Sequence, residues 1–322
     1  MNFLYKLIFI LTTLNGSIGF AQSNLFPTRP IKVLVPVAPG GNIDTVMRII
    51  SQKMGENLGQ NIIIENKPGG ATNVANELVA KATPDGYTLI ANTITLVVNT
   101  SLYPKLAYDP EKDFSPVSLI ASSPCLVVIN PKLPIKNIRE LISYAKANPG
   151  NIKYGTSGSG GITHLSVELF AYQTGTKFEQ INYKGAGPAV IALMSGEVDI
   201  GIFPIVAIAG QLSSPRLRVI GITSQNRLPL FPDIPTVNES GVPGYEFNGW
   251  VGIVAPAGTP ATIIKILNDS ITRAVKSPEI VDKFNKDGAE VIASSPEQFK
   301  KLISDEVIQW AKVIKQAGIK AD

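Results

Sequence analysis

Ser157, Ser159 and His164 fall within one short stretch, YGTSGSGGITH, and a serine this close to a histidine raises acyl transfer as a first chemistry. The spacing does not fit it. A nucleophile elbow carries glycine two residues before and two after its serine. Ser157 has Gly155 before it but Ser159 after it, and Ser159 has Gly161 after it but Ser157 before it. His164 is the only histidine, and no motif aims its ring at either hydroxyl. The dinucleotide pattern G-x-G-x-x-G fails as well, because Gly158 and Gly160 are followed by Thr163. A single cysteine, Cys125, and a single histidine make no metal-ligand set and allow no internal disulfide. Cys125 reads as a small buried apolar residue. No cofactor or metal is expected, and the chain does not read as an enzyme. What the stretch does offer is hydroxyls and glycine N–H groups, at Ser157, Gly158, Ser159, Gly160 and Thr163, ahead of a helix. That chemistry suits a carboxylate or another small anion.

The same arrangement opens the chain. Val33, Leu34, Val35 and Val37 read as a buried strand, Pro39, Gly40 and Gly41 break it, and Val46, Met47, Ile50, Met54 and Leu58 recur at helical spacing. A strand, a glycine turn and a helix start place free backbone N–H groups where an anion can approach. An ordinary βα turn gives the same pattern. Asp44 in the first helical turn is either a favourable charge at the positive end of the helix or a partner for a ligand amino group. Asn66 to Gly70 and Lys184 to Gly187 repeat the turn. Lys67 and Lys184 are the only cations in these turns, so an anion here would be held by backbone. Lys184 is a solvated turn lysine or a group near that anion. Asn92 to Thr95 ends a third strand and should reach the crevice of Gly41. Tyr183, Phe203 and Trp250 end or enter strands; they line a pocket or pack a core.

These turns need a scaffold. Strands at Ile62–Glu65 and Tyr87–Ala91 alternate with helices, which predicts a parallel sheet with helices on both faces. Ligands of such sheets bind beyond the C-terminal strand ends. The pattern recurs after Phe114 to Ile129, an apolar stretch interrupted by Ser122-Ser123-Pro124. The fold class is therefore α/β with two lobes: a first lobe over 22–121, a second over 122–223, and a return to the first over 224–322. Two crossings make a hinge with the cleft between the lobes. Thr259 is expected to cap a helix begun by Pro260, and Ser295 to Gln298 forms a capping box.

The chain has 322 residues, 44% hydrophobic, with a net charge of +4, so dense basic surface for nucleic acid is missing. Residues 1–21 read as a cleavable signal peptide: Lys6, an apolar core at Leu7–Leu14, then Gly19-Phe20-Ala21. The protein is expected in the periplasm as a monomer.

Several runs together resemble one family. RPIKVLVPVAPGGNID (29–44), ENKPGG (65–70), ATPDGYTL (82–89), YGTSGSGGITHLSVELF (154–170), INYKGAGPAVIALMSGEVDI (181–200) and LPLFPDIPTVNESGVPGYE (228–246) resemble the tripartite tricarboxylate transporter receptors, also called Bug proteins. The match covers essentially the whole mature chain in order. The resemblance implies a type II periplasmic binding protein fold. It implies capture of a small carboxylate-bearing anion, held mainly by backbone and water, for a permease with a large and a small subunit. It carries Pro39 to Asp44, Asn42 included, over as the first-lobe loop. It carries Ser157 to His164 and Lys184 to Gly187, Gly185 included, over as second-lobe loops. The familiar first loop reads PxPPGGxxD; here Val37 and Ala38 precede Pro39, which bears on ligand identity more than on fold. A receptor serving a sensor kinase is the alternative, and a secreted α/β hydrolase the more distant one.

Overall fold

The computed structural model describes residues 26–39, 42–158, 160–183, 185–286 and 288–320. The expected signal peptide 1–21 lies outside them, as do the expected site residues Gly40, Gly41, Ser159 and Lys184. The first elements are β1 (Ile31–Val35), α1 (Asn42–Leu58), β2 (Ile62–Asn66), α2 (Asn73–Ala80), β3 (Thr88–Asn92), α3 (Thr95–Leu102) and β4 (Phe114–Ile129). Then come α4 (Ile138–Ala147), β5 (Lys153–Thr156), α5 (Ile162–Thr174), β6 (Glu179–Asn182), α6 (Ala186–Ser195), β7 (Ile200–Pro204), α7 (Ile205–Ile208) and β8 (Arg218–Ile222). The chain closes with β9 (Asn248–Pro256), α8 (Ala261–Val275), α9 (Pro278–Lys286), β10 (Glu290–Val291) and α10 (Pro296–Ala317).

The helical spacing read in α1 buries Val46, Met47, Ile50 and Met54 against the β1–β3 sheet and α8. Each such side chain contributes roughly 1.5–3 kcal/mol. α2, α3 and α10 cover the other face of the first lobe, sharing a core with α4 and α5 of the second; α6 and α7 cover the second lobe's remaining face. β1 pairs parallel with β2 and β3, and β5 parallel with β6 and β7. The parallel order expected for both halves is therefore present.

β4 spans the region expected for the first crossing. β4 is one continuous strand, although Ser122-Ser123-Pro124 reads as an interruption. Phe114 to Pro124 pairs with β9, and Cys125 to Ile129 pairs with β7 and β8. Pro124 lacks an N–H to donate and sits at the last rung of the β9 ladder, so the strand changes partners without losing a bond there. The return crossing is expected near Thr223. β8 ends beside β4, and the Phe247 N–H donates to the Thr223 carbonyl at 3.0 Å. Between them, residues 224–247 pack on the second half: Val237, Val242 and Tyr245 join its core, and the Tyr245 hydroxyl donates to the Ser166 carbonyl at 3.0 Å. Phe247 and Asn248 then bring the chain back alongside β4. Thr259 does not cap α8; its hydroxyl donates to the Pro256 carbonyl at 2.7 Å. Ser295 and Gln298 do form the capping box of α10.

Candidate ligand site at the facing strand ends

In the first lobe β1, β2 and β3 end side by side, with Val35 opposite Asn66 and Leu34 opposite Ile90. Pro39 and Asn42 are exposed at that edge. Asp44 is not: it is 2% exposed and fully engaged. Its Oδ2 accepts from Arg48 Nε at 2.9 Å and its Oδ1 from Asn66 Nδ2 at 2.9 Å. Asn66 Nδ2 also donates to the Val37 carbonyl at 3.0 Å, and Arg48 Nη2 donates to Asn66 Oδ1 at 3.1 Å. One carboxylate therefore ties the loop after β1 to the end of β2 and to its own helix. Asp44 is a clamp of the loop, and these two oxygens are already committed to protein donors.

The second turn carries backbone strain. Ala71 sits at φ 50° and ψ 45°, and Thr72 at φ 78° and ψ −11°. A β-branched residue with positive φ is an outlier, and each such residue costs on the order of 1–3 kcal/mol. Side chains hold the turn. Asn99 Nδ2 donates to the Ala71 carbonyl at 2.7 Å, and Thr72 Oγ1 donates to Thr95 Oγ1 at 3.1 Å. Asn92 is buried, donates to Asn76 Oδ1, and accepts from the Thr93 N–H at 3.1 Å. Asn76 in turn donates to the Tyr108 hydroxyl at 3.1 Å, and burial pushes that phenol up to about 12. Asn92 and Thr95 thus belong to a buried amide network under the turn. The sequence reading missed Asn66, Thr72, Asn76 and Asn99. The available signal was the run of amides set among apolar residues around ENKPGG.

In the second lobe Ser157, Gly158, Gly160, Thr163 and His164 come together as expected. Thr163 Oγ1 accepts from the Ser157 N–H at 2.7 Å and lies 2.9 Å from Ser157 Oγ. The Gly158 N–H donates to Thr156 Oγ1 at 3.2 Å, and Thr156 Oγ1 donates to Asn182 Oδ1 at 2.7 Å. His164 is buried, and its Nδ1 accepts from the Gly160 N–H at 3.0 Å. The Ser157 hydroxyl therefore meets Thr163 and not the imidazole. Gly185, at φ 117°, opens α6. Tyr183 lies beside it but sends its hydroxyl to Glu197 Oε1 at 2.8 Å.

Of the residues read as pocket wall or core, Phe203 and Trp250 pack in the core. Phe203 is fully buried with Leu126, Val128 and Leu193 beneath α6 and α7, the inward face of a central strand. Trp250 is buried under α10, edge-on to Phe299, and its Nε1 donates to Glu306 Oε2 at 2.9 Å.

The second-lobe loop touches the first lobe. A Cβ on Gly160 would come within 2.9 Å of Leu102 Cδ1 in α3, and one on Gly249 within 3.0 Å of Ile162 Cδ1. The helices starting at these strand ends share a feature. α2, α3, α5 and α6 carry no side-chain N-cap. At the opposite strand ends α4 and α10 are capped by Asn137 and Ser295, while Pro260 opens α8 without a side-chain cap. Among the described residues of these turns, Lys67 is paired with Glu65 at 2.9 Å and Arg48 with Asp44. Such ends present backbone N–H groups and partial positive charge with little net cationic charge, which fits a small anion bound through main chain. Among the described residues, no group of three His, Cys, Asp or Glu side chains is placed to hold a metal, and no helix is long and apolar enough to cross a membrane.

Comparison with known proteins points the same way. The model of the Tripartite tricarboxylate transporter family receptor matches residues 46–319. Protein BugT of Bordetella pertussis (strain Tohama I) is 35% identical over 315 residues, covering 97% of this chain and 96% of its own. R. palustris Rpa4515, solved with adipate, is 36% identical with a TM-score of 0.76, covering 92% of this chain and 99% of that one. MatC from Rhodopseudomonas palustris, solved with bound malate, is 35% identical with a TM-score of 0.73, covering 90% and 100%.

Proposed function

Because the chain belongs to the tripartite tricarboxylate transporter receptor family, we propose that it captures a small carboxylate-bearing anion between its lobes and delivers it to a membrane permease. The fold is that of a type II periplasmic binding protein, and the family is one of solute-binding receptors, not of enzymes. One observation carries the ligand class. The helix starts at the facing strand ends are left without side-chain caps, while Lys67 and Arg48 are spent on protein carboxylates. A carboxylate accepts several N–H donors at once and needs no arginine where helix starts converge. Adipate and malate, the ligands of two relatives, set the size: a mono- or dicarboxylate of a few carbons.

In this reading Pro39 to Asn42, Ser157 to Thr163 and Lys184 to Gly185 approach the ligand. Asp44, Asn92, Thr95 and His164 hold the loops in place. Residues 1–21 direct export and are removed, and the mature protein works in the periplasm as a monomer. A thermal-shift screen of mono- and dicarboxylates tests the ligand class. A saturable rise in Tm with adipate, malate or a close analogue is expected, about 2.7 kcal/mol of added stability at a hundredfold excess over Kd. A rise confined to sugars, cations or apolar compounds would refute it.

A further inference from the structure

His164 is the chain's only histidine, and it sits under the loop that meets the first lobe. Its ring is buried and lies 6.3 Å from the Tyr154 ring, in a stacked orientation. Nδ1 accepts the Gly160 N–H at 3.0 Å, so Nδ1 carries no proton and Nε2 holds the ring hydrogen. Nε2 faces Glu168 Oε1 at 3.9 Å, and the same oxygen accepts the Tyr154 hydroxyl at 2.5 Å. Gly160 itself, at φ 72°, is the point where a Cβ would strike Leu102 of α3. One imidazole lone pair thus fixes the residue through which the second-lobe loop contacts the first lobe.

We propose that His164 is a positioning residue whose Nδ1 lone pair holds the Gly160 loop in its ligand-ready form, so that protonating the ring releases the loop and weakens ligand binding. The proposal rests on the ligand-capture reading above. The step is a proton transfer alone. Nδ1 gains a proton from solvent, the ring becomes a double donor, and the Gly160 N–H then faces another N–H. That contact is repulsive, and the loop must move away from α3 to relieve it. The groups around the ring support the direction. Glu168, on the same helix, and Tyr154, on β5, face Nε2; Lys177 lines an outer cavity of about 640 Å³ with Glu168. A carboxylate at Nε2 steadies an imidazolium once it forms. By reciprocity, a ligand that needs the loop in place favours the neutral ring and expels protons as it binds.

The experiment uses the mature full chain with two arms. In the first, ligand-free, the protection factor of the Gly160 amide is measured by hydrogen exchange between pH 7.5 and 5.5, the range in which an imidazole titrates. Wild type should lose protection by about tenfold or more as pH falls, one unit of titration being a factor of ten. His164→Asn keeps an acceptor near the Nδ1 position and cannot titrate, so its protection should be flat with pH. In the second arm, calorimetry with adipate should show affinity falling with acid in wild type and no such fall in His164→Asn. A wild-type protection factor that ignores pH, or a His164→Asn profile that follows wild type, would overturn the proposal. If neither adipate nor any other carboxylate binds wild type, the ligand reading fails while the exchange arm still decides the role of the histidine.

Discussion

The two lobes hold their candidate ligand loops by opposite means. In the first lobe the loop after β1 is fixed by charge: buried Asp44 gathers Arg48, Asn66 and, through Asn66, the Val37 carbonyl. In the second lobe the loop after β5 is fixed by neutral acceptors, Thr163 Oγ1 for the Ser157 N–H and His164 Nδ1 for the Gly160 N–H. The first set rests on a carboxylate paired with a guanidinium, the second on an acceptor that a proton can occupy. The comparison teaches that the first lobe can serve as a fixed platform while the second carries the adjustable contact.

The largest expected effect comes from breaking the charged clamp. Asp44→Ala leaves Arg48 and the Asn66 amide without their shared acceptor. Removing one partner of a buried pair costs about 3–5 kcal/mol, and the half-exposed Arg48 brings this to roughly 2–3 kcal/mol. Denaturant melts should show that loss, with ligand affinity falling further because the loop is freed. A change under about 0.5 kcal/mol, the range of neutral surface substitutions, would show that the clamp is dispensable.

A second effect, read as a slope of stability with pH, separates loop chemistry from the seam between α10 and β9. Burial pushes the Glu306 carboxyl up to about 8, although part of the residue's surface remains accessible. The Trp250 indole N–H opposes that shift and the Glu246 charge adds to it. The folded state then keeps a proton that the unfolded chain releases at ordinary carboxylate pH. The stabilising contribution is complete below that pH and is lost as pH rises toward about 8, at up to about 1.4 kcal/mol per pH unit. Glu306→Gln should flatten this slope in stability-versus-pH curves and be the more stable protein at pH 8. Its direction is opposite to loop release by His164, which occurs on acidification. An unchanged slope in the variant would locate the titration elsewhere.

The smallest effect tests strain in the first lobe. Ala71→Gly removes a left-handed penalty of about 1–2 kcal/mol and adds about 0.5–1 kcal/mol of unfolded-state entropy. A net gain of about 0.5 kcal/mol is expected in chemical denaturation. A loss of 1 kcal/mol would mean the turn is not strained.

Much of this arrangement was legible in the residues. The helical spacing of α1, the parallel pairs and the capping box of α10 all follow from local pattern, because each answers to neighbours a few residues away. α3 was not legible: TLVVNTSL is rich in β-branched residues, which disfavour helix, and packing against α10 overrides that preference. The packing of residues 224–247 was not legible, because β8 and β9 continue along the same edge of β4, separated by a long excursion with no local signal of its partner. The candidate loops could be named from their glycines and hydroxyls. The groups that fix them could not, since Asn66 reaches Asp44, and Asn99 reaches Ala71, only after the sheet has formed.

The central claim is that one carboxylate ligand engages loops from both lobes and draws them together. Small-angle scattering of the mature protein, with and without a saturating dicarboxylate that raises its Tm, measures this directly. A ligand touching both loops binds the closed form better and must shift the population toward it. The radius of gyration should therefore fall on saturation and return when the ligand is dialysed away. A saturated protein whose scattering matches the ligand-free profile would contradict the account and assign binding to a rigid pocket within one lobe.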